Sequence, residues 1–252
     1  MKNSKKLVIG NWKENPLELE EVKNIANTVK RAMRNIKKTQ VVICPPHIYI
    51  PTLLYLPTSN LFLGAQDAFY ETYGPFTGEV SAASLYQFKV RYVIVGHSER
   101  RAFGETNEIV NKKVLSVLNN GMSAIVCVGE MQRDHHGDYL GFVENQLKVG
   151  LRNVGRKNLS RLLITYEPVF FVGAKEAMPP QDIFEMAIFI RKILRDMFGT
   201  YSEDVKVLYG GTVETSDADR IIRDGGVSGL LVGRESLKPK DFVEIIKLVD
   251  SI

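Results

Sequence analysis

The sequence predicts an α/β protein folded as a closed eight-stranded parallel (β/α)8 barrel, and three observations carry that prediction. The chain has 252 residues, close to the ~250 that one such barrel takes. Eight short apolar runs recur along it, separated by stretches with helical spacing. The turn after the first run reads Asn11-Trp12-Lys13-Glu14 and lacks the G-x-G-x-x-G of an open nucleotide-binding sheet.

The runs are LVIGNW (7–12), VVIC (41–44), LFLGA (61–65), YVIVG (92–96), AIVCV (124–128), LLITYE (162–167), VKVLYG (205–210) and GLLVG (229–233). Such runs suit strands covered on both faces, and helices packed on a parallel sheet provide that cover. Eight such strands can close into a barrel or stay open as a doubly wound sheet. Their roughly even spacing favours closure.

Helical spacing lies between the runs. Val22, Ile25, Ala26, Val29 and Met33 share one face, with Pro16 upstream as a start signal. Ile109, Val110, Val114, Val117 and Leu118 repeat the pattern. Ile183, Ala187, Ile190, Leu194 and Met197 follow Pro179 and Pro180, and Phe242, Val243, Ile246 and Val249 follow Pro239. No linker divides the chain, so residues 1–252 are expected to form one domain.

Composition excludes several classes. A net charge of +4 is too small for a nucleic-acid-binding chain. The densest basic run, Lys30, Arg31, Arg34, Lys37 and Lys38, falls at a helix end, where cations complement the dipole. No run approaches the ~18 apolar residues of a membrane span. The start, MKNSKK then LVIG, has too short an apolar stretch for a signal peptide. The two cysteines, Cys44 and Cys127, follow strand-like runs, and free thiols there point to a reducing, cytoplasmic setting.

In a parallel barrel the loops after the strands share one face, and active sites gather there. The first strand ends in Asn11 and Lys13, two apart and so expected on one side. The fourth ends in His97-Ser98-Glu99, the sixth in Glu167, the seventh in Gly210-Gly211-Thr212 and the eighth in Gly233-Arg234. An amine, an imidazole, a carboxylate and two phosphate-friendly loops around one mouth suit proton transfer beside a carbonyl on a phosphorylated substrate. His135 and His136, with Asp134 and Asp138, lie in a polar loop and read as solvated rather than as metal ligands.

At these residues the sequence resembles the triosephosphate isomerase family. The matching pieces are Gly10-Asn11-Trp12-Lys13, Gly64-Ala65-Gln66, Phe76-Thr77-Gly78-Glu79, Gly96-His97-Ser98-Glu99-Arg100-Arg101, Cys127-Val128-Gly129-Glu130, Tyr166-Glu167-Pro168-Val169, Tyr209-Gly210-Gly211 and Leu231-Val232-Gly233. They stand in family order over nearly the whole chain, and GHSERR and YEPV at this spacing are highly specific.

The resemblance implies a TIM barrel that interconverts dihydroxyacetone phosphate and D-glyceraldehyde 3-phosphate through an enediolate, in glycolysis and gluconeogenesis. It makes Glu167 the base and His97 a neutral electrophile, its ring kept uncharged by a helix N-terminus. Lys13 stabilises developing negative charge and the phosphate, and Asn11 positions the substrate oxygen. Glu99 is the carboxylate near Lys13, or else a surface partner of Arg100 or Arg101. Backbone N–H groups of Gly173, Thr212, Gly233 and Arg234 hold the phosphate. Neither metal nor organic cofactor is implied, and neither nucleic acid nor membrane.

The family is usually a homodimer. The loop from Gln66 to Glu79 is then expected to insert beside the partner's site, with Thr77 approaching Asn11 and Glu99 of the partner subunit. Glu14 and Asp67 bear on that assembly, because an unpaired buried carboxylate is costly.

The chain also departs from the family. In the lid, Pro168 to Met178, Phe170 stands where tryptophan is usual, and Gly173-Ala174-Lys175-Glu176 replaces glycine-threonine-glycine-lysine. Thr212 replaces serine, and Arg234 replaces the second glycine of the phosphate loop. Arg234 is strained if its φ is positive, contacts phosphate through its guanidinium, or points outward; the last is favoured. These departures leave a catalytically impaired phosphate-binding barrel as the alternative. An aldolase would need a mid-strand lysine, and the strands offer only Lys206, at a strand start.

Overall fold

The computed structural model of the protein describes residues 5–134, 136–171 and 177–252. Their strands form the expected closed parallel barrel in sequential order. The strands are β1 (Lys6–Asn11), β2 (Thr39–Cys44), β3 (Leu61–Ala65), β4 (Val90–Val95), β5 (Ser123–Val128), β6 (Leu162–Tyr166), β7 (Lys206–Tyr209) and β8 (Gly229–Val232). The barrel closes where β1 pairs with β8, Ile9 lying opposite Leu231. On its other side Ile9 lies opposite Val42 of β2.

The helices are α1 (Leu19–Ala32), α2 (Ala82–Gln87), α3 (Ser98–Ala102), α4 (Asn107–Asn119), α5 (Asp138–Gly150), α6 (Pro180–Phe198), α7 (Thr215–Asp224) and α8 (Pro239–Ser251). Alternate strand residues point inward and outward. Leu7, Ile9, Val42, Ile94, Ile125, Leu163, Leu208 and Leu231 fill the barrel interior, with Cys44 and Cys127 among them. Val8, Val41, Val93 and Val126 face outward onto helix residues such as Val22, Ile25, Val114 and Phe242. Removing each such side chain from water stabilises the fold by about 1.5–3 kcal/mol. Both cysteine thiols are free and buried, and burial raises both above the ordinary thiol value.

Two elements differ from the sequence reading. α1 begins at Leu19, with Glu18 as its cap, so Pro16 precedes the helix without opening it. Between β2 and β3 stand only two short 3₁₀ turns, His47–Tyr49 and Pro51–Leu53. Pro45, Pro46, Pro51 and Pro57 crowd that connection, and proline removes the N–H donors that a longer α-helix needs.

Candidate active site

Parallel strands in a closed barrel end on one rim, and residues after β1, β4, β6, β7 and β8 line a cleft of about 310 Å³ there. The cleft brings together Asn11, Lys13, His97, Glu167, Thr212, Gly233 and Arg234. These positions span most of the sequence.

Lys13 reaches the cleft for a reason other than strand alternation. β1 stops at Asn11, and Lys13 adopts a left-handed backbone with φ 53°. The Asn11 Oδ1 accepts the Lys13 N–H at 3.1 Å. Gln66 Nε2 donates to the carbonyls of Lys13 and Cys44, both at 2.9 Å. These bonds hold a conformation that costs a non-glycine residue roughly 1–2 kcal/mol. The Lys13 ammonium then lies 2.6 Å from Glu99 Oε1, which decides the partner of Glu99.

His97 caps the N-terminus of α3, its Nδ1 accepting the Glu99 N–H at 3.2 Å. A ring nitrogen that accepts carries no proton, so the neutral ring holds its proton on Nε2. Nε2 faces Glu167 Oε1 at 3.0 Å.

Glu167 is the first residue beyond β6, and its N–H donates to Val128 O at 2.8 Å. Its carboxylate accepts from the Ser98 amide (3.0 Å, Oε2) and the Ser98 hydroxyl (2.9 Å, Oε1). Glu167 is only 3% exposed and His97 6%. Burial is the largest single influence on the Glu167 carboxyl and pushes its pKa up. The bonds from His97 and Ser98 together outweigh it, and the net direction is down. Desolvation alone would have raised this carboxyl, and the neighbouring donors reverse the sign.

Arg234 opens a 3₁₀ turn, Arg234–Leu237. It is not among the described residues with positive φ, so the strained reading does not arise. Thr212 and Gly233 line the same cleft. Gly173, with Ala174, Lys175 and Glu176, lies outside the described residues, as does His135.

Gln66, Asp67, Lys206 and Asp134 find hydrogen-bond or ion-pair partners within the chain. The Gln66 amide is spent on its own Lys13 and Cys44 carbonyls. Thr77 is exposed. Asp67 pairs with Lys113 at 2.6 Å and with Arg100 at 3.2 Å. Lys206 starts β7 and donates to the Lys5 carbonyl, at the strand end away from the cleft. Asp134 accepts the N–H groups of His136, Asp138 and Tyr139, so it caps the approach to α5. Among the described residues no group of three or more His, Cys, Asp or Glu could hold a metal.

Ser98 stands within GHSERR, and the motif alone does not show that it holds Glu167. A serine between a cleft histidine and a helix start was the available signal. Lys113 sits on the buried face of α4 with Val110, Val114 and Val117. A lysine at that helical spacing implies a buried carboxylate nearby.

A buried carboxylate 3.0 Å from a ring N–H, beside an ammonium in a cleft, makes this a parallel α/β-barrel enzyme built for proton transfer. Comparison with known proteins narrows the class. The sequence model of the triosephosphate isomerase family matches residues 6–249. Proteins named triosephosphate isomerase are similar along nearly the full length. That of Chloroherpeton thalassium is 39% identical, covering 96% of this chain and 98% of its own. That of Idiomarina loihiensis is 37% identical, covering 95% and 96%. That of Thermoanaerobacter pseudethanolicus is 35% identical, covering 95% and 98%. The chain belongs to the triosephosphate isomerase family.

Proposed function

We propose that this protein interconverts dihydroxyacetone phosphate and D-glyceraldehyde 3-phosphate through an enediolate. One observation carries the reading: the Glu167 carboxylate and His97 Nε2 meet at 3.0 Å on a cleft that Lys13 also lines. A proton beside a carbonyl is weakly acidic, so the charge that forms on oxygen must be stabilised as it appears. Glu167 removes the carbon proton. The bonding pair becomes the enediolate double bond, and the carbonyl pair moves to oxygen. His97 Nε2–H donates to that oxygen, with the Lys13 ammonium and the Asn11 side chain alongside. Glu167 returns the proton to the former carbonyl carbon. His97 relays the hydroxyl proton of the other carbon to the new oxyanion, which leaves a carbonyl on the carbon first deprotonated, so atoms and charge balance with no cofactor.

Thr212, Gly233 and Arg234 form the phosphate end, through backbone N–H groups. Gly173 joins them by family resemblance alone. The intact set of Asn11, Lys13, His97 and Glu167 stands against an impaired phosphate-binding barrel, because mere binding needs no base.

We further propose a homodimer acting in the cytoplasm in glycolysis and gluconeogenesis. Exposed Leu17, Ile48, Tyr73 and Phe103 support self-association through the loops near the cleft. Glu14 is exposed in the single chain and would need a cation from the partner. No described helix is long and apolar enough to cross a membrane. A coupled isomerase assay tests the reading. Glu167→Gln should lower kcat by about 10²–10⁴, the worth of a general base. A Gln variant as active as the parent, or an inactive parent, rejects it.

A further inference from the structure

One charged cluster, built on a buried carboxylate and reaching the surface at the half-exposed Phe170, takes no part in the chemistry above. Glu130, just beyond β5, is 1% exposed. Its Oε1 accepts from Arg133 Nε and from the Tyr166 hydroxyl, both at 2.8 Å. A second guanidinium nitrogen donates to the Tyr166 oxygen at 3.1 Å. The face of the same guanidinium lies over the Phe170 ring, 5.3 Å from its centroid. Tyr139 flanks it at 5.1 Å.

Phe170 belongs to the 3₁₀ turn Val169–Phe171, three residues past Glu167. The main chain ties that turn to the same cluster, Val169 N–H donating to Glu130 O at 3.0 Å. A buried carboxylate demands a cation, and lysine would meet that demand. A planar fork that bonds Glu130 and Tyr166 edge-on while its face covers a ring requires arginine. Of the groups in this cluster, the guanidinium is what joins the buried carboxylate to the Phe170 side chain.

We propose that Arg133 is a positioning residue. It clamps the Phe170 ring onto the Glu130–Tyr166 pair and so fixes the turn directly behind the Glu167 base. Its kinetic consequence rests on the isomerase reading; the clamp itself does not.

The test measures amide hydrogen exchange at Val169 and Phe171, together with kcat and KM, in Arg133→Gln, Phe170→Leu, their double variant and Phe170→Tyr. Loss of a cation–π contact and its hydrogen bonds should speed exchange at both amides about tenfold in each single variant. kcat should fall about three- to tenfold with KM within about twofold, since a displaced base weakens the chemical step and not substrate binding. The double variant should be no worse than the more severe single, as expected of residues acting through one contact. Phe170→Tyr keeps the ring and should leave exchange and kcat within about twofold of the parent.

If Arg133→Gln does not fold, Phe170→Leu, which leaves the Glu130–Arg133 pair intact, decides. Exchange and kcat both within twofold of the parent in Phe170→Leu overturn the clamp, as do effects that multiply in the double variant. An inactive parent whose exchange still responds would reject the isomerase reading and leave the clamp standing.

Discussion

Ser98 grips both oxygens of Glu167, its amide bonding Oε2 at 3.0 Å and its hydroxyl bonding Oε1 at 2.9 Å. The residue next to His97 thus holds Glu167, and the holding tunes its carboxyl. Burial pushes the Glu167 carboxyl up, and the His97 and Ser98 bonds carry it below its ordinary value.

Ser98→Ala deletes one of those bonds. The Glu167 pKa should rise, and the acid limb of the kcat/KM profile should move to higher pH. The same sign governs stability. A carboxyl depressed on folding binds fewer protons folded than unfolded, so its contribution is complete above its ordinary value of about 4.3 and is lost as the pH falls below it. Acid unfolding of Ser98→Ala should show a smaller loss over that window. A profile superimposable on the parent's would show that the hydroxyl does not tune the base.

Lys13 sits at φ 53° to deliver its ammonium to the cleft. Lys13→Gly removes a left-handed penalty of roughly 1–2 kcal/mol against a glycine entropy cost of roughly 0.5–1 kcal/mol. The exposed pair with Glu99 adds little. The expected outcome is a Tm equal to or slightly above the parent's, with isomerase activity lost. Calorimetry showing a large drop in Tm would mean that the backbone there is unstrained.

Gly129 passes beneath the base. A Cβ on it would stand 1.8 Å from the Glu167 carbonyl oxygen, far inside contact distance, so Gly129→Ala must displace the Glu167 main chain. A shift near 1 Å at a reacting group costs about 10²-fold in rate. kcat should therefore fall by about that factor with the chain still folded. Unchanged kcat would place the strain elsewhere.

Arg234 lines the cleft with an ordinary backbone. If the N–H binds phosphate and the guanidinium points outward, Arg234→Gly leaves KM within about twofold. A direct charged hydrogen bond would be worth about 1.5–3 kcal/mol, and its loss would raise KM at least about tenfold. Steady-state KM and inhibition by inorganic phosphate separate the two.

The amino-acid sequence by itself determined the eight strands, the principal helices and the polar residues that follow each strand, because those follow from local patterns. Apolar runs, helical spacing and motifs such as GHSERR and YEPV are written within a few residues of one another. Even so, the chain order was silent about how Lys13 turns inward. That depends on Asn11 and on Gln66, which lies 53 residues away in sequence.

Only the tertiary structure decided that Ser98 clasps Glu167 across 69 residues of sequence. It decided likewise that Lys113 neutralises Asp67 at 2.6 Å, and that Arg133 bridges Glu130 to Phe170. The sign of the Glu167 shift belongs to the same group. Burial pushes one way and fixed donors the other, and their balance exists only once barrel closure brings separate strand ends to one rim.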